Sequence, residues 1–99
     1  MDKNMITILI KEPGCSWNVA EVEDDLEAYQ AIVGGYIEGI ATTKTGMHIF
    51  GNEEGKLLHL KPNFMLHGDL IVGTVFAVRD DEEGNFVSVT EDDIDLFVK

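Results

Sequence analysis

A single cysteine, Cys15, stands in the chain. It cannot close an intramolecular disulfide, so no covalent staple supports the fold, and a reducing compartment is the natural setting. Basic residues are also scarce: seven Lys and Arg stand against nineteen Asp and Glu, for a formal net charge of −12. Proteins hold phosphate backbones with clustered Lys and Arg, so this balance excludes direct nucleic-acid binding of the usual kind. No apolar run approaches the roughly 18–20 residues of a membrane span. Met1-Asp2-Lys3-Asn4 leads into a strand pattern and not into the apolar core of a signal peptide. With no linker and no low-complexity stretch, the 99 residues form one domain, 1–99. A chain of this size buries only about 60–65% of the surface it exposes when unfolded, so its core is single and modest.

Signatures of known chemistry are missing as well. There is no G-x-G-x-x-G and no G-x-x-x-x-G-K-[ST] loop to cradle phosphate. Ser16 and Ser88 lack the strand-turn-helix setting of a nucleophilic serine. Cys15 has Glu12 close by, and an acidic neighbour opposes the thiolate that a reactive cysteine needs. Asp80-Asp81-Glu82-Glu83-Gly84 runs its acids consecutively, unlike the spaced ligands of a calcium loop. These residues point to no metal, no cofactor and no enzymatic step.

What is present is a series of short apolar segments bounded by turn residues. Met5 to Ile10 is a near-continuous β-branched run, the pattern of a strand covered on both faces. After Pro13-Gly14, Trp17 to Val22 alternates with a period of two, placing Trp17 and Val19 on one face of a second hairpin arm. The period then changes. Leu26, Tyr29, Ile32 and Val33 form one helical stripe, Asp24 or Asp25 supplies the cap, and Glu27 favours the first turn. Gly34-Gly35 stops this helix, which spans about 25–33, and Gly35 is expected in the left-handed cap conformation ahead of Tyr36.

Strands are expected at 36–41, 47–50, 56–60 and 86–89. The run from Leu70 to Val78 reads as one central strand, with Gly73 marking a bulge or a close backbone approach. A short C-terminal helix, about 91–98, takes Thr90 as its cap and turns Ile94, Phe97 and Val98 inward. Asn52-Glu53-Glu54-Gly55 and Asp81-Glu82-Glu83-Gly84 share the signature of a three-residue hairpin loop with a glycine bulge. The fold class is therefore α+β: a mostly antiparallel sheet or partly closed barrel with one main helix packed on it.

The charge has a geography. One acidic stretch runs through Glu21, Glu23, Asp24, Asp25 and Glu27. A second joins Asp80, Asp81, Glu82 and Glu83 to Glu91, Asp92, Asp93 and Asp95. From Lys44 to Arg79, the four cations Lys44, Lys56, Lys61 and Arg79 meet only Glu53, Glu54 and Asp69. If 86–89 is a strand, Asp80, Asp81, Glu82, Glu83, Glu91, Asp92 and Asp93 flank it and line one edge of the domain, a docking surface for a basic protein. The middle carries a second candidate, a small-ligand pocket near Tyr36, His48, Asn52, Lys56, Asn63 and His67. If a hairpin joins 47–50 to 56–60 through the glycine bulge, His48 and His59 point to opposite faces and cannot share a metal ion.

The stretch Asp25 to Glu38, then Asn52 to Leu58, Pro62-Asn63 and Gly68 to Thr74, resembles the domain-of-unknown-function family three-eight-four-six, small proteins of phages, plasmids and bacterial mobile elements. The resemblance covers nearly the whole chain and carries no catalytic residue with it. It implies an accessory protein in a bacterial cytoplasm, for which occupying host or defence machinery is a fitting task. Three functions follow: a non-enzymatic binder of a basic protein surface, a nucleotide-like ligand module, or a structural protein that self-assembles. The first is the favoured reading.

Overall fold

The computed structural model describes residues 4–98, so the reading of Met1-Asp2-Lys3 lies outside the described residues. The core begins with β1 (Met5–Lys11) and β7 (Val75–Asp80), which pair antiparallel with Leu9 opposite Ala77 and Ile10 opposite Phe76. In β7, Val75, Phe76, Ala77 and Val78 are all fully buried, as are Ile8 and Leu9 of β1. Alternation sends Leu9, Val75 and Ala77 into one hydrophobic cluster and Ile8, Phe76 and Val78 into another. The sheet is thus covered on both faces, as the continuous apolarity of the first strand implies.

Around this pair the strands run β2 (Asn18–Glu23), β1, β7, β4 (His48–Asn52) and β3 (Ile37–Thr42), all antiparallel, with the short β8 (Phe86–Val87) beside the end of β7. The sheet is open, not a closed barrel. On one face lies α1 (Leu26–Val33), whose Tyr29 stacks on Phe76 with ring centroids 5.3 Å apart. On the other face lie the β5 (Pro62–Leu66) and β6 (Asp69–Val72) hairpin and α2 (Glu91–Val98), where Trp17 meets Phe97 edge-on at 5.4 Å. Both helices are eight residues long, so there is no single main helix.

The caps follow the sequence closely at one end and depart at the other. The Asp25 carboxylate accepts from Ala28 N at 2.8 Å and opens α1. Gly34, not Gly35, takes the left-handed conformation, with φ 80° and its N–H on Gln30 O. Gly35 is needed for another reason: a Cβ there would sit 2.8 Å from the Asn52 Nδ2, which donates to Val33 O. Leu26 is 56% exposed and Val98 38%, so neither belongs to the inward stripe assigned to it.

Two strand expectations fail outright. The run 70–78 does not form a single strand; it divides at Gly73, and β6 pairs with β5 in a separate sheet. Gly73 has φ 77°, and Asn63 fixes the crossing by donating from Nδ2 to both Gly73 O at 2.8 Å and Lys11 O at 2.9 Å. Segment 56–60 forms no strand, because β4 already has β3 on one side and β7 on the other. With no edge of β4 left to join, residues 53–59 wind in turns, Leu58 N reaching Glu54 O and Leu60 N reaching Gly55 O. The expected hairpin loop at Asn52–Gly55 is absent. The one at Asp81–Gly84 is present, with Asp81 N on Asn85 O and Gly84 at φ 85°. The strand expected at 86–89 stops at Val87, after which Val89 N turns to Thr7 O.

The glycines order the expected damage. Gly34→Ala meets open space and suffers only from its left-handed φ, a cost of about 1 kcal/mol. Gly73→Ala adds to that same strain a Cβ 2.7 Å from Leu60 Cδ1. Urea midpoints should fall in the order wild type, Gly34→Ala, Gly73→Ala; equal midpoints for the two variants would show that the junction tolerates a side chain.

Candidate functional site

The second acidic stretch is not a uniform edge. Asp81 organises its own turn: its carboxylate accepts from Glu83 N and Asn85 N, each at 2.9 Å. The backbone N–H of Asn85 foremost holds that carboxyl below its usual range. Asp80 lies 2.9 Å from His48 Nε2, and the other ring nitrogen of His48 meets Thr42 Oγ1 at 3.0 Å. Glu82, Glu83, Glu91 and Asp92 are exposed.

Asp93 departs from the sequence reading altogether. It is 2% exposed, so it cannot belong to a docking surface. Its two oxygens accept from Arg79 Nε at 2.6 Å and Nη2 at 2.8 Å, a bidentate pair. Thr90 N donates to the same carboxylate while Asp93 N donates to Thr90 Oγ1, a capping box closed by aspartate. The Arg79 hydrogen bonds, opposed by burial and assisted by Thr90, pull the Asp93 carboxyl down to about 2. The same contact raises the Arg79 guanidinium above its ordinary value. Arg79 thus relieves the charge repulsion at this end.

That clamp sets α2 beside the end of β7, and the start of α1 approaches from the other face. A cleft of about 360 Å³ is lined by Asp24, Asp25 and Tyr29 on one side and by Gly84, Asn85 and Phe86 on the other. Tyr29 Oη donates to Asp24 at 2.5 Å, and burial with that contact raises the phenol above its ordinary value. Both acidic stretches therefore converge on one end of the sheet. The turn before β4 also reaches this end: a Cβ on Gly46 would lie 3.0 Å from Arg79 Nη1.

The six residues grouped as a ligand pocket do not come together. Asn52 and Lys56 line one cleft of about 330 Å³, together with Glu38, Glu53, Glu54 and Asp69. His48 lines another, with Thr42 and Phe50. Asn63 is committed to the junction of β1 and Gly73, His67 sits at the β5–β6 turn with φ 49°, and Tyr36 is 67% exposed. His48 and His59 are not on facing hairpin arms, since His59 lies in the turns after β4 with φ 55°. Among the described residues no three His, Cys, Asp or Glu side chains gather as a metal cradle. No helix among them is long and apolar enough to cross a membrane.

A family model described as Domain of unknown function (DUF3846) matches residues 6–99, nearly the whole chain. The chain belongs to that family. No curated protein and no solved structure matches it. In this DUF3846 domain the structural role hidden from sequence reasoning is that of Arg79, which clamps Asp93 of α2. A capping box read from Thr90 to Asp93 was the available signal.

Asp93 has a folded value below its unfolded one, so its contribution to stability is complete above pH about 4 and fades as pH falls towards about 2. Asp93→Asn should destabilise the domain by about 3 kcal/mol at neutral pH, because it leaves the Arg79 charge without its partner. It should also flatten the pH dependence of the urea midpoint across that window. A variant with the wild-type midpoint at neutral pH would show that the clamp adds nothing to stability.

Proposed function

We propose that this DUF3846 domain is a non-enzymatic binding protein that docks its acidic end on a basic surface of another protein. The observation supporting it is the convergence of the α1 start, the β7–β8 turn and the α2 start on one end of the sheet. Three chain segments with exposed carboxylates meet there, while the guanidinium of Arg79 is spent on Asp93. Such convergence is unfavourable for folding, since like charges repel, and it favours fast association with a cationic partner. The surface consists of Asp81, Glu82, Glu83, Glu91 and Asp92 with Asp24 and Asp25; Asp93 is withdrawn from it and Asp80 is shared with His48.

A basic surface of this kind commonly holds nucleic acid, and a bound acidic domain would block it. This fits the accessory protein of a phage or mobile element acting in a bacterial cytoplasm on host or defence machinery. The scattering of Tyr36, His48, Asn52, Lys56, Asn63 and His67 over separate surfaces disfavours the small-ligand alternative.

The test uses a partner captured from host lysate and identified by mass spectrometry. Glu82→Gln, Glu83→Gln, Glu91→Gln and Asp92→Asn combined should leave the fold intact and slow association with that partner, roughly ten-fold at low salt. Wild-type association should itself slow steeply as salt rises. An unchanged rate constant in the variant at low salt would reduce the acidic end to a solvated surface.

A further inference from the structure

We propose that the open edge of β3, with the cleft beside it, docks an extended cationic segment of a partner protein, which adds as a further strand. This site is separate from the acidic end of the sheet. Among the described residues, β3 is the last strand in the sheet order and pairs with β4 alone. An edge of this kind presents unpaired N–H and C=O groups to any chain that can lie along it. The bulge between Gly39 and Ala41 shifts the register of β3 against β4, so the added strand runs along the regular first half of β3. Gly39 lies there, exposed and without a left-handed φ, and a Cβ on it would meet Phe50 Cε1 at an ordinary 3.7 Å. Packing does not demand glycine at this position, and a bare backbone suits the close approach of another strand.

The cleft names the side chains of that strand. It holds about 330 Å³ between β3 on one side and the 53–57 turn with β6 on the other. Ile40 and Leu57 give it apolar walls, Leu57 being 77% exposed, while Glu38, Glu53 and Glu54 supply carboxylates. Lys56 is the cation of the lining, and its Nζ is already 2.6 Å from Asp69. Lysine or arginine fits both features, laying its methylene stem on the apolar walls and its charge among the glutamates. The same glutamates oppose pairing with a second copy of this chain, which would bring Glu38 against an identical edge. The occupant is therefore a cationic strand and not a second acidic domain.

The probe is a labelled peptide of about ten residues alternating lysine and threonine, whose β-branched positions favour an extended chain. Two further versions carry backbone N-methyl groups at all odd or all even positions, so that each blocks one edge of the peptide. The parent peptide should bind wild type and slow amide exchange at residues 37–40. One methylated version should lose binding roughly ten-fold or more. Glu38→Lys with Glu54→Lys, both exposed and outside the core, should weaken the parent peptide to a similar degree with an unchanged circular dichroism spectrum. Glu82→Gln with Glu83→Gln should leave its affinity within about two-fold, separating this site from general attraction to an acidic protein. The proposal is overturned if the parent peptide does not bind. Full binding by both methylated versions, or equal losses in the two glutamate variants, would overturn it as well.

Discussion

Burial of β7 on both faces is the constraint from which the rest of the structure follows. Four consecutive residues, Val75 to Val78, are sealed from solvent, with β1 and β4 on the two edges of the strand. Full burial of a side chain such as Phe76 is worth about 1.5–3 kcal/mol, and in a domain this small such residues carry most of the core energy. A strand sealed this way needs a layer on each side. α1 supplies one, and the β5–β6 hairpin with α2 supplies the other. The apolar run leading into β7 therefore has to serve two layers in succession, and Gly73 is where it passes between them. Asn63 satisfies the carbonyls exposed by that crossing, which is why this polar residue lies half-buried where a ligand contact was expected.

Electrostatics then decides how the open end of the sheet closes. Arg79 emerges from the buried strand into a region of carboxylates and selects Asp93, bringing α2 back over the sheet. The pairing is bidentate and shielded, so it is far stronger than a surface ion pair. The remaining acids stay in water, some of them useful to their own backbone. Asp25 caps a helix and Asp81 shapes a turn. An acidic composition is thus divided between local structural duties and exposed charge.

Local signals were legible because their causes are local. Asp25 and Thr90 as caps, the Asp81–Gly84 turn, the helical stripe of Tyr29 and Val33 and the doubly covered β1 all depend on neighbours a few residues away. Beyond the local β1–β2 and β7–β8 hairpins, pairing partners were not legible. Residues 56–60 have the apolarity of a strand, yet both edges of β4 are occupied, so the segment coils instead. The six residues grouped as a ligand pocket lie on separate surfaces, because their nearness in sequence does not fix which strands and turns carry them together. Pro62–Leu66 became a strand only because β6 left the main sheet and needed a partner.

Sequence alone determined the α+β class, the two helices and their N-caps, the open need for a two-sided core, and a surplus of negative charge. Each of these is set by residue type and spacing, which a linear reading preserves. Tertiary structure decided which strands are neighbours, which glycine is left-handed and which aspartate is buried. Those outcomes depend on competition for a limited number of sheet edges and on a cation reaching across 14 positions, from Arg79 to Asp93. Competition of that kind is resolved only when the whole chain is packed at once.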